Sequence, residues 1–202
     1  MRIAGLLEFG LALFSAAALA APTPPPIGNF ALVDQNGKPF QLHDLRGNYV
    51  FLTFIFTRCP LPKMCPLTMS RSNELVRQWG RLKGAPPLRI LAVTLDPEHD
   101  TPKVLKSYAR RHRVDERVFR LATGVPQVLS DLAAEFNVAG FPGQGSITHN
   151  MKNILLGPEL SAVKAYKDNE WTAPQVIGDM SRYRAREQAP TKAGTPPLPP
   201  SP

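Results

Sequence analysis

Two apolar runs, residues 49–56 and residues 88–95, constrain the fold of this chain more than any other feature. Neither run alternates apolar with polar residues, and both are rich in aromatic and branched side chains, which is typical of central strands covered on both faces. Segments with apolar residues at helical spacing follow each run, and they begin near Pro66 and near Pro102. A sheet of this kind needs helices on both of its faces, so the pattern predicts an α/β fold.

The rest of the pattern extends this sheet at both ends. Asn36-Gly37 stands between two short apolar stretches and predicts an N-terminal β-hairpin. Residues 128–136 predict a further helix, which a glycine-rich loop at residues 140–145 ends. Residues 149–156 and 162–166 predict a C-terminal antiparallel β-hairpin, and a last helix begins near Ala173. We therefore expect a mainly parallel central sheet flanked by helices, with an antiparallel edge.

The two ends of the chain differ from its body. Residues 1–21 combine Arg2, an apolar stretch and small residues around Leu19, which predicts a secretory signal peptide; an uncleaved membrane anchor is the alternative, although the stretch is short for a span. Residues 22–26 read as a proline-rich linker and residues 187–202 as a disordered proline-rich tail. The folded domain is then residues 27–186, and we expect an exported, periplasmic protein.

The charge of the chain is basic, with 24 Lys and Arg against 16 Asp and Glu and a formal net charge of +8. Basic residues cluster at residues 110–113 and 182–186. No nucleic-acid-binding motif accompanies them, and an exported protein rarely meets nucleic acid. The charge therefore predicts solvated helix faces, or weak attraction to an anionic membrane surface or an acidic partner, and no nucleic-acid binding.

The only two cysteines, Cys59 and Cys65, lie in one loop directly behind the first apolar run. A chain of 202 residues can build a core without disulfide bridges, so the pair is not needed for scaffolding. The cysteines can form a disulfide, bind one metal ion or alternate between these states. Since a helix is predicted to begin at Cys65, its dipole and free amides predict the lower thiol pKa for Cys65.

Other candidate residues carry weaker signals. His43, His99 and His112 stand in polar or basic surroundings and are predicted to be surface residues. Met69 falls at a core position of the helix that follows Cys65, and Met64 is not expected to be a ligand. The carboxylates of the segment 96–100 are predicted to cap a helix and shape a loop, in preference to acid–base catalysis.

Four motifs in this order resemble those of the Sco/SenC family: Phe56-Thr-Arg-Cys59, Cys65-Pro66, Val93-Thr-Leu-Asp-Pro97 with Asp100-Thr-Pro102, and His149 ahead of Asn153-Ile-Leu-Leu-Gly-Pro158. The resemblance covers roughly residues 30–166. Members of that family are thioredoxin-like, exported or membrane-anchored proteins that bind copper and assist assembly of the binuclear copper centre of cytochrome c oxidase. The resemblance therefore implies a thioredoxin-like fold here.

The resemblance also implies a copper ion shared by Cys59, Cys65 and His149. Two soft thiolates and one imidazole suit copper, and three ligands leave an open position from which the ion can be passed on. The implied partner is a subunit of cytochrome c oxidase or another periplasmic thiol or copper protein. Two features differ from the family's usual pattern: five residues separate the cysteines where three are usual, and Thr148 precedes His149 where an aspartate is common.

Three functions follow from these residues. The first is a copper-binding metallochaperone, a binding and assembly protein that is not a catalyst. The second is a thiol–disulfide oxidoreductase that cycles Cys59 and Cys65, which the wider loop and Thr148 favour, whereas His149 favours metal. The third, a thiol peroxidase, is weaker because peroxidases of this fold have two residues between threonine and cysteine, while only Arg58 separates Thr57 from Cys59.

Overall fold

A computed structural model describes residues 25–138, 140–143 and 146–188 of the chain, and for residues 140–143 and 146–149 it describes the backbone alone. The predicted signal peptide, the start of the linker and the tail from residue 189 onward lie outside the described residues. None of the helices within the described ranges has the length and apolar character that crossing a membrane requires.

Nine strands and four α-helices make up the described chain: β1 Ala31–Asp34, β2 Pro39–Gln41, β3 Tyr49–Ile55, α1 Cys65–Trp79, β4 Leu88–Thr94, α2 Pro102–Arg111, β5 Phe119–Thr123, α3 Pro126–Glu135, β6 Gly140–Gly143, β7 Ser146–His149, β8 Lys152–Leu156, β9 Ala162–Lys167 and α4 Ala173–Gln188. Seven strands form one sheet in the order β2-β1-β5-β4-β3-β8-β9, while β6 and β7 pair with each other. Strands β3, β4 and β5 run parallel at the centre, and the strands on both sides of them pair antiparallel.

The local signals explain why these elements form. All seven residues of β3 are buried, as its continuous apolar run predicts. Helix α1 begins at Cys65 with Pro66 in its first turn, where a missing amide hydrogen costs no helical hydrogen bond. Helix α2 begins after Thr101, whose hydroxyl accepts a hydrogen bond from the amide of Val104 at 3.4 Å. Gly37, with a φ of 78°, closes the predicted hairpin.

Two apolar layers cover the two faces of the sheet. One layer lies beneath α1, α2 and α4 and includes Cys65, Met69 and Trp171. The other lies beneath α3 and the N-terminal hairpin. Because β3, β4 and β5 are parallel, their carboxyl ends all lie at the same edge of the central sheet.

The structure differs from the sequence prediction at residues 140–145 and at residues 187 and 188. Residues 140–145 were expected to be a loop, but β6 occupies Gly140–Gly143 and pairs with β7 from Gly140 opposite His149 to Gly143 opposite Ser146. Glycine and proline weaken a strand pattern, which is why the sequence favours a loop there. Residues 187 and 188, assigned to the tail by composition, lie in α4, within the usual scatter of helix boundaries.

Candidate metal and redox site

The two cysteines lie at the carboxyl edge of the central strands. Cys59 follows the end of β3 by four residues, and Cys65 is the first residue of α1. Both are free thiols; Cys65 is fully buried in the layer beneath α1, whereas Cys59 is partly exposed. We call the segment between β3 and α1, residues 56–64, the cysteine loop.

A side-chain hydrogen bond between the two thiols couples their acidities. The Cys65 thiol donates to the Cys59 sulfur, and that hydrogen bond lowers the pKa of Cys59 to about 6. The same hydrogen bond, followed by burial, raises the pKa of Cys65. The prediction that Cys65 has the lower pKa is therefore wrong, because burial and its role as donor outweigh the favourable effect of the helix N-terminus. Cys59, the partly exposed member of the pair, is therefore the thiol that ionises more readily.

On its amino-terminal side, the cysteine loop is held by a buried carboxylate. Asp100, which is fully buried, accepts hydrogen bonds from the amide of Thr57 at 3.0 Å and from its hydroxyl at 2.5 Å. It also accepts one from the hydroxyl of Thr94 at 2.6 Å, at the end of β4. Three donors around one carboxylate fix the chain two residues before Cys59 against the end of the neighbouring strand.

A second carboxylate of the same segment holds Arg58. The guanidinium of Arg58 donates from Nη2 at 2.7 Å and from Nε at 3.2 Å to one oxygen of Asp96. The amide of Asp96 in turn donates to the hydroxyl of Thr94 at 2.9 Å. The acidic segment therefore shapes a loop, as predicted, but the loop is the cysteine loop, and Thr101 alone provides the side-chain cap of α2.

On its carboxyl-terminal side, the cysteine loop is held by Asn169, which follows β9. The Asn169 side chain donates from Nδ2 to the carbonyl oxygens of Lys63 and Met64, both at 3.0 Å. Its Oδ1 atom accepts a hydrogen bond from the hydroxyl of Thr68 at 2.9 Å. Asn169 is 9% exposed, so these bonds are shielded from water and fix the two residues that precede Cys65.

Arg71 of α1 secures the segment that carries Asn169. Its guanidinium donates to the backbone carbonyls of both Asn169 and Trp171. Sequence reasoning missed Asn169, since a single asparagine that lies 106 residues beyond Lys63 in the chain carries no local signal of this contact.

His149 is placed at the same edge by its backbone. It ends β7, three residues before β8 begins. Because β8 is antiparallel to β3, with Thr53 opposite Asn153, the amino end of β8 lies beside the carboxyl end of β3. The His149 side chain lies outside what the structure describes, and the described side chains include no group of three His, Cys, Asp or Glu residues around one point.

Three of the remaining candidates, His43, His112 and Met69, have structural contacts of their own. The His43 ring pairs with the carbonyl of Ile27 at 3.1 Å, and the His112 ring packs on Tyr108 with 4.3 Å between ring centroids. Burial lowers the pKa of His112. Met69 is fully buried in the core, as its helical spacing predicts.

The extra length of the cysteine loop is turned outward. Residues 60–63 are exposed, with Leu61 at 52%. The amide of Met64 donates to the carbonyl of Leu61 at 3.0 Å, so the loop closes through a tight turn. The five-residue spacing therefore does not keep the sulfurs apart, and two sulfurs in contact match the donor set of a site for a soft metal ion.

Comparison with known proteins gives a consistent result. A family model described as SCO1/SenC matches residues 20–185. A candidate copper-binding protein of Stutzerimonas stutzeri is 33% identical over 148 residues, which are 70% of this chain and 69% of that protein. The chain spans a smaller share of its SCO2-like relatives, 59% of the mitochondrial one from Bos taurus and 51% of the one from Rickettsia felis.

Two solved structures illustrate the likeness in three dimensions. BsSco, described with a disulfide switch and as a member of the Sco family of cytochrome c oxidase assembly proteins, is 26% identical with a TM-score of 0.68, covering 80% of this chain and 95% of BsSco. Copper-bound ScoI of Bradyrhizobium japonicum is 24% identical with a TM-score of 0.63, covering 79% of this chain and 99% of ScoI, a likeness that shows the fold. The predicted thioredoxin-like α/β fold class is confirmed.

Proposed function

Because the chain belongs to the SCO1/SenC family, we propose that it is a copper-binding protein that takes part in assembling the copper centre of cytochrome c oxidase. The Stutzerimonas stutzeri relative is named for copper binding, ScoI carries copper, and BsSco belongs to a family of oxidase assembly proteins. The partner would be an oxidase subunit or another periplasmic thiol or copper protein, and the chain would be exported by its amino-terminal segment.

The observation that carries this proposal is the contact between the two sulfurs. Cys59 and Cys65 would supply two thiolate ligands, and His149, whose backbone lies at the same edge of the sheet, would supply the third. A bound copper ion would itself replace the shared proton of the thiol pair. The partial exposure of Cys59 gives a partner direct access to one ligand, as handing over a metal ion requires.

A copper titration tests the proposed ligands. The reduced full chain is titrated with Cu(I) against a competing chelator, beside Cys59→Ser, Cys65→Ser and His149→Ala. Each variant is expected to lose at least about tenfold in affinity, the loss typical even of residues that only support a ligand. His99→Ala is the matched control and is expected to bind like the parent. Unchanged affinity in His149→Ala would remove that residue from the site.

A second function, thiol–disulfide exchange, is favoured by the lowered pKa of Cys59 beside a resolving thiol. The Cys59 thiolate would attack a partner disulfide and release one partner thiolate. Cys65, once deprotonated, would then attack the Cys59 sulfur and release the second, so the partner is reduced by two electrons and this chain carries the new disulfide. The reduction potential of the pair, measured in glutathione buffers, tests this. A value far below about −300 mV, typical of inert structural disulfides, would contradict it.

A further inference from the structure

A concave surface lies at the opposite end of the sheet from the cysteines. It has a volume of about 810 Å³ and lies between the carboxyl-terminal half of α1, the loop at residues 80–87 and the turn after α2. It reaches Leu88, the first residue of β4, whereas the cysteines follow the last residue of the parallel neighbour β3. Seven strand residues separate the two ends by roughly 20 Å. We call this surface the basic groove.

The groove combines an apolar floor with a rim of arginines. Val76, Leu88 and Val118 line its floor, and Leu82 stands at its edge with 45% of its surface exposed. Leu82 is one of only three large apolar side chains that are exposed in the described part of the chain. The rim contains four arginines, Arg77, Arg81, Arg89 and Arg113.

The carboxylates nearby leave most of this positive charge unpaired. Glu74 forms its ion pair with Arg77. Asp115, the single carboxylate in the lining, is engaged from outside by Arg117, which donates to it at 2.8 and 3.0 Å. Arg81, Arg89 and Arg113 form no ion pair with any described residue.

The groove is preformed by hydrogen bonds of its own. The indole of Trp79 donates to the carbonyl of Pro86 at 2.9 Å, and the amide of Leu82 donates to the carbonyl of Trp79 at 3.0 Å. Across the groove, the side chain of Asn73 donates to the carbonyl of His112 at 2.8 Å. These bonds hold the loop that presents Leu82 and link the two walls, so a ligand would not have to order the site.

We propose that the basic groove binds an acidic peptide segment of a partner protein, one in which carboxylates flank an apolar side chain. The guanidinium of arginine offers planar pairs of donors that match a carboxylate, and three arginines without ion pairs surround the groove. The apolar floor between them can contact an apolar side chain, which a free inorganic anion does not have. The surface is concave, which suits an inserted chain segment better than a flat lipid surface. The site is independent of the copper proposal, and its distance from the cysteines would leave them accessible in the complex.

The test uses a labelled peptide of glutamates around one central leucine, and a counterpart in which glutamine replaces glutamate. Binding to the reduced full chain is followed by fluorescence anisotropy at low ionic strength. We expect the acidic peptide to bind and the glutamine peptide to bind at least about tenfold more weakly, because the arginines of the rim attract the carboxylates of the peptide. The triple variant R81E/R89E/R113E is expected to weaken binding by at least about tenfold.

A matched triple variant, K38E/K103E/K167E, changes the net charge by the same amount at exposed lysines that form no ion pair in the described chain. It is expected to weaken binding less than about threefold, because such charges act only at a distance. Equal losses in the two triples would show general attraction to a basic protein and would overturn the proposal, as would an absence of peptide binding.

Two further measurements complete the test. Leu82→Ser should weaken binding about threefold or more through lost apolar contact, and it leaves every arginine in place, so it keeps the proposal testable if the triple variant folds poorly. Vesicles of phosphatidylglycerol provide the competing outcome. If vesicle binding, and not peptide binding, depends on the three arginines, the groove recognises a membrane surface and the peptide proposal is wrong.

Discussion

Asp100 accepts two hydrogen bonds from Thr57, one from the backbone amide at 3.0 Å and one from the hydroxyl at 2.5 Å. These two bonds join the loop that precedes α2 to the loop that carries the cysteines. Because Asp100 is fully buried, water cannot replace either bond. The position of Cys59 therefore depends on a buried carboxylate that belongs to a different loop.

Replacing Asp100 with alanine is expected to lower the free energy of unfolding by about 3 kcal/mol, since three donors lose a charged acceptor in a buried place. Asp100→Asn keeps one acceptor for the Thr57 amide and should cost only about 1 kcal/mol. Urea unfolding of the reduced protein measures both values. Glu98→Ala, at an exposed position of the same segment, is the control and should unfold like the parent. Equal effects for Asp100→Ala and Glu98→Ala would contradict the role of the buried carboxylate.

The acidity of Cys59 predicts how its reactivity depends on pH. Its lowered pKa of about 6 means that the thiolate persists at neutral pH, so the rate of alkylation by iodoacetamide should be flat above pH 7 and fall by half near pH 6. Mass spectrometry of the metal-free, reduced protein identifies the modified residue. Cys65 should react only at higher pH, since its pKa is raised and it is buried.

The variant Cys65→Ala separates the causes of this behaviour. Without the donated hydrogen bond, the pKa of Cys59 should rise toward the ordinary thiol value of about 8.5, and the rate at pH 7 should fall by about tenfold. Cys65→Ser keeps a hydroxyl donor, so the pKa of Cys59 in this variant should lie between its values in the parent and in Cys65→Ala. An alanine variant that still titrates near pH 6 would show that the Cys65 thiol is not what acidifies Cys59.

Asn169, which holds the carboxyl-terminal side of the cysteine loop, leads to a prediction about copper affinity. Asn169→Asp cannot donate to the carbonyls of Lys63 and Met64, and its charge would repel them, so the backbone before Cys65 should loosen. We expect faster amide hydrogen exchange at residues 63–68 and a Cu(I) affinity at least about tenfold weaker, because loosened supports weaken metal ligands.

Asn48 provides the matched control for this substitution. Its side chain also donates to two carbonyls, those of Leu45 and Arg46, at 3.0 and 3.2 Å, in a turn at the other end of β3. Asn48→Asp also loses two donated bonds, in a more exposed place, and should leave copper affinity within about twofold. If both variants lost affinity equally, Asn169 would contribute only to general stability. Hydrogen exchange reports on the anchor even if the chain binds no copper.

Local chemistry explains what could be predicted from the sequence. Pro66 and the Thr101-Pro102 pair signal helix starts within a few residues, and the run at 49–56 has a composition that is typical of a central strand. The two residues that hold the cysteine loop, Asp100 and Asn169, have no local sequence signal, because only the tertiary fold brings them to the loop. The acidity of the thiols was assigned to the wrong residue for the same reason, since burial is decided by packing and not by position at a helix end.

The spacing between the cysteines leads to a last prediction. Five residues separate them, yet their sulfurs are in contact and residues 60–63 are exposed, so the two extra residues extend the turn outward. Deleting residues 61 and 62 should leave Cu(I) affinity within about threefold, because shortening so small a loop changes its closure free energy by less than about 0.6 kcal/mol. Leu61→Ser at full length is the control for loss of the exposed leucine alone. A loss of more than about tenfold in the deletion variant, with the serine variant unaffected, would show that the length of the loop itself sets the geometry of the two sulfurs.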